Sequence, residues 1–236
     1  MSLKNQALYL TLTCFGTHYC LGNNAPLSSH KIADPIEEIF THIYKTNRWL
    51  SSETVSGQGS ELRVTHGMRN ELSSLIKRFN ITSIADAPCG DLNWMKYVDL
   101  GDCNYTGIDI VQEIIEKNTQ QFGPTKKFKY LNLLENIIEK VDLIICRDLL
   151  AHFTYEQIFT VLKKFKQSGS KYILVTTNLR VENNCDMETT GDCRFLNLEL
   201  PPFNFPRPLA LIEEDVPCES ERGKYLALWF LDDLKI

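Results

Sequence analysis

Between Ile81 and Thr177, short apolar runs alternate with stretches of helical period. Ser83-Ile84-Ala85-Asp86-Ala87 and Tyr105-Thr106-Gly107-Ile108-Asp109-Ile110 each read as a buried strand ending in an acid. Lys127 to Leu131, Val141 to Cys146 and Lys171 to Thr177 read as three more strands. Between them, Leu92 to Val98 reads as a short helix, and Val111 to Gln121 and Tyr155 to Gln167 as longer ones. Strands alternating with helices call for right-handed crossovers and a mostly parallel sheet. Phe195 to Leu200 and the long apolar run Lys224 to Phe230 complete a count of seven strands. The last run is apolar enough for a central strand and is expected to close the sheet in antiparallel sense.

Two helices are predicted ahead of the sheet. Asp34 and Pro35 suit an N-cap and a first helical position, and Ile36, Ile39, Phe40 and Ile43 recur at helical spacing to about Tyr44. A second helix is expected from Glu61 to Arg78, with Leu62, Met68, Leu72, Leu75, Ile76 and Phe79 on its apolar face. The polar stretch Ser51 to Ser60 between them cannot bury itself and reads as a loop. The pattern is one α/β domain over residues 34–236, with 34–80 as its leading helices and loop, after an N-terminal extension at 1–33.

Charge narrows the partners. The net charge is -5 and no run of Lys and Arg forms a basic patch, so no nucleic-acid partner is expected. The eight cysteines include no Cys-x-x-Cys pair and the histidines are scattered, so no metal site is expected. Cys185 and Cys193 flank a polar loop and would pair only in an oxidising compartment. Lys4 followed by Ala7 to Gly16 resembles a weak secretory signal, but its apolar run is diluted by Thr11 and Thr13. A cytoplasmic protein is the expectation, with export the alternative, and no segment is expected to span a membrane.

Open α/β sheets bind ligands beyond the carboxyl ends of their strands. There the first strand gives Asp86-Ala87-Pro88-Cys89-Gly90-Asp91, where Gly90 can bring backbone close to a ligand or take a positive φ. Asp109 follows one strand-helix-strand unit later and can accept both hydroxyls of a ribose. Together these resemble the class I S-adenosylmethionine-dependent methyltransferases, a Rossmann-like three-layer fold. The family places a glycine-rich loop after strand one, an acid after strand two and a polar residue after strand three, here Asn132. The resemblance implies that the Asp86 to Asp91 loop meets the methionine part of S-adenosylmethionine and Asp109 the ribose. Asn132 and Leu133 would lie beside the adenine and Ile110 against its face.

Pro88 and Leu92 depart from the family by replacing its first and third loop glycines. Pyrophosphate needs those glycines, so a nicotinamide dinucleotide is disfavoured. Asp91 would repel pyrophosphate yet favour an ammonium or sulfonium. The lead-in from Ile43 through Trp49 to Gly59-Ser60 is similar to that of a bacterial methyltransferase subgroup linked to glycans or small substrates. That similarity implies a loop over the cofactor, with Trp49, Gly59, Ser60 or Arg69 touching it and Ser60 or Arg69 near its carboxylate. Trp94 and Arg147 join the candidate cofactor contacts.

Acceptor-side groups should follow strands four and five. His152 is the candidate base because its pKa lies near neutrality, and Asp148 can serve instead or orient a hydroxyl. Asn178 to Arg194 reads as a polar substrate wall, with Asn183, Asn184, Asp186 and Arg194 facing a sugar-like acceptor. The expectation is O-methylation of a small or glycan-like polar acceptor. The alternative is a non-catalytic module that binds S-adenosylmethionine or a partner.

Overall fold

The structure, a computed structural model, describes residues 36–216 and 222–236. The Asp34-Pro35 cap, the signal-like segment and Cys14, Cys20 and Cys218 lie outside the described residues. The described elements are α1 (Ile36–Thr46), α2 (His66–Arg78), β1 (Ser83–Asp86), β2 (Asn104–Asp109), α3 (Gln112–Phe122) and β3 (Lys127–Tyr130). There follow β4 (Leu143–Cys146), α4 (Tyr155–Gln167), β5 (Tyr172–Asn178), β6 (Ala210–Glu213) and β7 (Lys224–Phe230).

Seven strands form one sheet in the order β3-β2-β1-β4-β5-β7-β6, with β3 to β5 parallel and β6 and β7 antiparallel. This is the Rossmann-like α/β architecture that the alternation predicts. The period of two divides the strand residues between two cores. Ile144, Ile173, Ala227 and Trp229 pack on one face with Ile158, Val161, Leu162 and Phe165 of α4. Leu143, Ile145, Leu174 and Leu228 pack on the other with Met68, Leu72 and Ile76 of α2. Every residue of β4 is buried, so that strand reads as an unbroken apolar run rather than an alternation. Thr154 and Gln157 form a capping box that starts α4.

Three elements differ from expectation. α2 starts at His66, not Glu61, because Glu61 has extended backbone and its carboxylate accepts Ser51 and Arg63 instead. The helix expected over 92–98 shrinks to a 3-10 turn at Met95–Tyr97, since Leu92 sits at φ 55, which no right-handed helix admits. Phe195 to Leu200 is not a strand. Leu196 and Leu198 are buried, but their backbone bonds with Asn178 and with the Thr177 hydroxyl, and β6 supplies the missing strand. Among the described residues no helix is long and apolar enough to cross a membrane.

Candidate functional site

β1, β2 and β4 run parallel, so their carboxyl ends share one edge of the sheet. That edge receives Asp86, Asp109 and the Arg147 that follows Cys146. A cavity of about 1060 Å³, open mouth included, lies against it. Trp49, Ser60, Asp86, Pro88, Cys89, Gly90, Asp91, Trp94, Asp109, Ile110, Asn132, Leu133, Arg147, Asp148 and His152 all line this cavity.

The β1 loop is fixed by its neighbours. Ala87 N–H donates to Ile145, and Cys89 N–H to Ile108, both at 2.8 Å. Gly90 N–H donates to Asp109 Oδ2 at 3.0 Å, and the buried Asn118 of α3 donates to Gly90 O at 2.8 Å. Gly90 has φ 53, and a Cβ there would stand 2.3 Å from Ser56 Oγ. Glycine is therefore required by conformation and by space. Gly90→Ala is expected to cost about 1–3 kcal/mol of stability, read from urea unfolding, with unchanged stability as the contrary result.

Asp109 Oδ1 accepts Val111 N–H at 3.0 Å while Oδ2 holds Gly90. Asp109 also lines the cavity. Burial pushes its pKa up to about 6, against the pull of those backbone donors. Asp86 is buried deeper and accepts Tyr105 O–H at 2.6 Å, and burial pushes it up to about 7. Asn132 Oδ1 accepts Leu134 N–H at 2.9 Å, which leaves its Nδ2 donor unused among the described residues.

Asp91 does something other than expected. Both its oxygens accept from Thr54 Oγ1, at 2.8 and 2.7 Å, and they also take Val55 N–H and Ser56 Oγ. Its charge therefore ties the loop ahead of α2 onto the β1 loop. Thr54 and Ser56 are parts of this tie that the sequence did not single out for it, as Asn118 is for the β1 loop.

Three expected residues do not line the cavity. Gly59 backs onto the charged groups behind it, and its carbonyl accepts from Arg147 Nη2 at 2.7 Å. Arg69 donates to Leu62 O at 3.2 Å and lies over the Tyr97 ring, which holds it away. Ala87 is fully buried beneath the loop. The loop after β5 does not line the cavity either. Asn184 donates to Asn197 and Pro201 carbonyls, Asp186 accepts Tyr155 N–H, and Arg194 donates to the Leu150 and Ala151 carbonyls. Cys185 and Cys193 are exposed on it.

That loop instead holds His152. Gly191 N–H donates to His152 O, and Arg194 N–H to Ala151 O, so the 3-10 turn Leu150–His152 is clamped. His152 Nδ1 lies 2.7 Å from Asp192 O. A carbonyl only accepts, so Nδ1 carries the proton and Nε2 keeps a lone pair. Burial lowers the pKa of His152, with the Asp192 carbonyl and Asp148 opposing, so the neutral ring is favoured.

Arg147 and Asp148 of the lining form a charge quartet with Glu214 and Lys224, which do not line the cavity. Arg147 pairs with Asp148 at 3.1 Å and with Glu214, and Lys224 pairs with Asp148 at 2.9 Å and Glu214 at 3.3 Å. The Arg147 and Glu214 side chains are 4% and 1% exposed, so these charges are desolvated. Burial alone would raise Asp148, but the two cations outweigh it and hold the carboxyl far below the usual range. Arg147 also donates to Ser60 Oγ at 3.1 Å, which joins the quartet to the covering loop. Its Nε is buried with no hydrogen-bond partner among the described residues. Glu214 and Lys224 carry no sequence signal of their own, since only the β6-β7 pairing brings them here.

No family model and no curated protein matches the sequence. Solved structures do match. A Burkholderia thailandensis 1,6-didemethyltoxoflavin-N1-methyltransferase, with that compound and S-adenosylhomocysteine bound, is 14% identical at TM-score 0.58, covering 88% of this chain and 92% of that one. A magnesium protoporphyrin IX methyltransferase from Synechocystis PCC 6803 with S-adenosylhomocysteine is 12% identical at TM-score 0.56, covering 83% and 99%. Human N-acetylserotonin methyltransferase with S-adenosylmethionine is 16% identical at TM-score 0.56, covering 82% of this chain but only 59% of that one. Four more matched chains, at TM-scores below 0.5, are spanned over only 44%, 59%, 63% and 58% of their length. At such identities the likeness establishes the fold alone.

Proposed function

We propose that this protein transfers a methyl group from S-adenosylmethionine to an oxygen of a small acceptor. One observation carries the reading. A single cavity joins Gly90, Asp109 and Asn132, at the ends of β1 to β3, to a histidine with a lone pair, just after β4. The three matched methyltransferases share this sheet and are named with S-adenosylmethionine or S-adenosylhomocysteine bound.

The cofactor supplies an electrophilic methyl group on a sulfonium. The residues present fit it. The Asp109 carboxylate, on the cavity lining, suits a ribose diol, and Asn132 Nδ2 can donate to an adenine nitrogen. Ile110 and Leu133 offer apolar faces for the ring. Ser60, on the cavity lining and hydrogen-bonded to Arg147, suits the methionine carboxylate, the role that Arg69, outside the lining, does not reach. His152 Nε2 takes the acceptor proton. Asp148, held ionised by Arg147 and Lys224, is the weaker base, and both its oxygens are taken by those two cations. A base in the same cavity favours an enzyme over a non-catalytic module. The glycan-like acceptor expected from Asn178 to Arg194 loses its support, because Asn184, Asp186 and Arg194 are bonded to the backbone of neighbouring segments and do not line the cavity.

Calorimetry with S-adenosylmethionine tests the reading. Asp109→Ala is expected to weaken binding about 10- to 100-fold, the worth of two hydrogen bonds to a charged acceptor. No binding by the wild type would overturn the function, and equal binding by both proteins would overturn the ribose role. The free carboxyl titrates at about 6, and its ionised form is the better acceptor. Wild-type affinity should therefore fall by about tenfold between pH 7.5 and pH 5. A pH-independent affinity over that range is the contrary outcome.

A further inference from the structure

We infer that the methyl acceptor is a flat aromatic ring carrying one acidic hydroxyl, a phenol in chemical class, held against Trp49 with its O–H at His152. The inference rests on the methyltransferase reading above and deepens it.

Phe40, Trp49, Leu149, His152 and Phe153 line the cavity around the base. Four of these five side chains are aromatic rings, and the rings contact one another. Trp49 stacks on the His152 ring at 4.9 Å and 24°. Phe40 meets Phe153 edge-on at 6.0 Å and lies 6.5 Å from Trp49. Rings arranged in this way present flat and edge faces that select another ring over a saturated one.

The polar groups of this wall are few. His152 Nδ1 is committed to Asp192 O, which leaves Nε2. The Asp148 carboxylate is committed to Arg147 and Lys224. Asn184, Asp186 and Arg194, which would have met a sugar, are bonded to backbone groups of neighbouring segments and lie outside the cavity. A sugar would bring several hydroxyls to a wall with one acceptor, and each hydroxyl left unpaired would count against binding. An acceptor with one polar hydrogen loses nothing there.

The base points the same way. A neutral imidazole whose protonation is disfavoured by burial is a weak base. Efficient transfer needs an acid of similar strength, and a phenol, with pKa about 10, is far closer than an aliphatic alcohol. In the step, the phenol proton passes to His152 Nε2 as the oxygen-to-methyl bond forms. The methyl-to-sulfur bond breaks, and its electron pair stays on sulfur and discharges the sulfonium. The products are an aryl methyl ether, S-adenosylhomocysteine and a histidinium that returns its proton to water.

The test uses the full chain loaded with S-adenosylhomocysteine, titrated in a calorimeter with phenol, cyclohexanol and methyl glucoside. Phenol and cyclohexanol have the same ring size and differ in flatness and acidity. Phenol is expected to bind about tenfold tighter than cyclohexanol, and methyl glucoside to give no measurable heat. Trp49→Leu should bring the phenol-to-cyclohexanol ratio close to one, with circular dichroism checking the fold, and the wild-type comparison stands without that variant. Equal binding of the two ring alcohols, or tighter binding of the glucoside, overturns the acceptor class while leaving the methyltransferase reading in place. If S-adenosylhomocysteine itself does not bind, that reading fails and the acceptor inference falls with it.

Discussion

His152→Ala is expected to lower kcat by about 10²- to 10⁴-fold, the usual worth of a positioned general base. The measurement is kcat at saturating cofactor and acceptor, followed from pH 5 to pH 9. The sign follows from the lowered pKa. Burial favours the neutral ring, so the base form is present at and above the ordinary histidine range. Wild-type kcat should therefore be flat above about pH 6.5 and fall only on the acid side. In His152→Ala the residual rate should lose that acid limb. A variant that is merely slower, with the limb unchanged, would show that His152 only supports Trp49 in the stack.

His152 can act this way because a neighbouring loop fixes its tautomer and its position. Asp192 supplies the carbonyl that keeps the proton on Nδ1, and Arg194 and Gly191 clamp the turn that carries the ring. Arg48, just before Trp49, reaches the same loop by pairing with Asp192 at 2.7 Å. The polar segment after β5 thus holds His152 in place and does not line the cavity. An uncommonly long connector is a reason to look for a role, and this one fixes the orientation of the His152 ring.

The sheet was legible because its strands are long enough and apolar enough to leave one period. β4 and β7 could be nothing but buried strands, and the acids ending β1 and β2 stand on one edge in any parallel arrangement. Much of the cavity floor follows from that, including Gly90, Asp109 and Asn132. What was not legible depends on contacts distant in sequence. Asp91 looks free in the sequence, but a loop some 35 residues away consumes its charge. Asn184 and Arg194 look like ligand contacts because nothing local shows that backbone carbonyls occupy them. The aromatic wall draws Phe40 and Trp49 from the leading segment and Phe153 from beyond β4, so no single motif announces it.

The charge quartet carries the second large effect. Lys224→Met should destabilise the protein by about 3–5 kcal/mol, because it strands a desolvated carboxylate and leaves Arg147 alone between Asp148 and Glu214. Thermal unfolding would read this as a fall in Tm of roughly 6–20 °C for a domain of this size. The double variant Lys224→Met with Glu214→Gln removes one charge of each sign and keeps the Arg147–Asp148 pair. It should recover about 1–3 kcal/mol of the loss, a non-additivity that only coupled charges produce. Simple addition of the two single effects would show that the four groups act as separate pairs. The network has a functional side as well. Arg147 spends two of its donors on Gly59 O and Ser60 Oγ, so its position sets that of the loop over the cavity. If Lys224 leaves, both carboxylates compete for Arg147, and the loop loses the partner that holds it down. Lys224→Met should therefore weaken S-adenosylmethionine binding even at temperatures where the protein remains folded, although Lys224 itself does not line the cavity. Unchanged affinity in the folded variant would confine the quartet to stability and separate the covering loop from it.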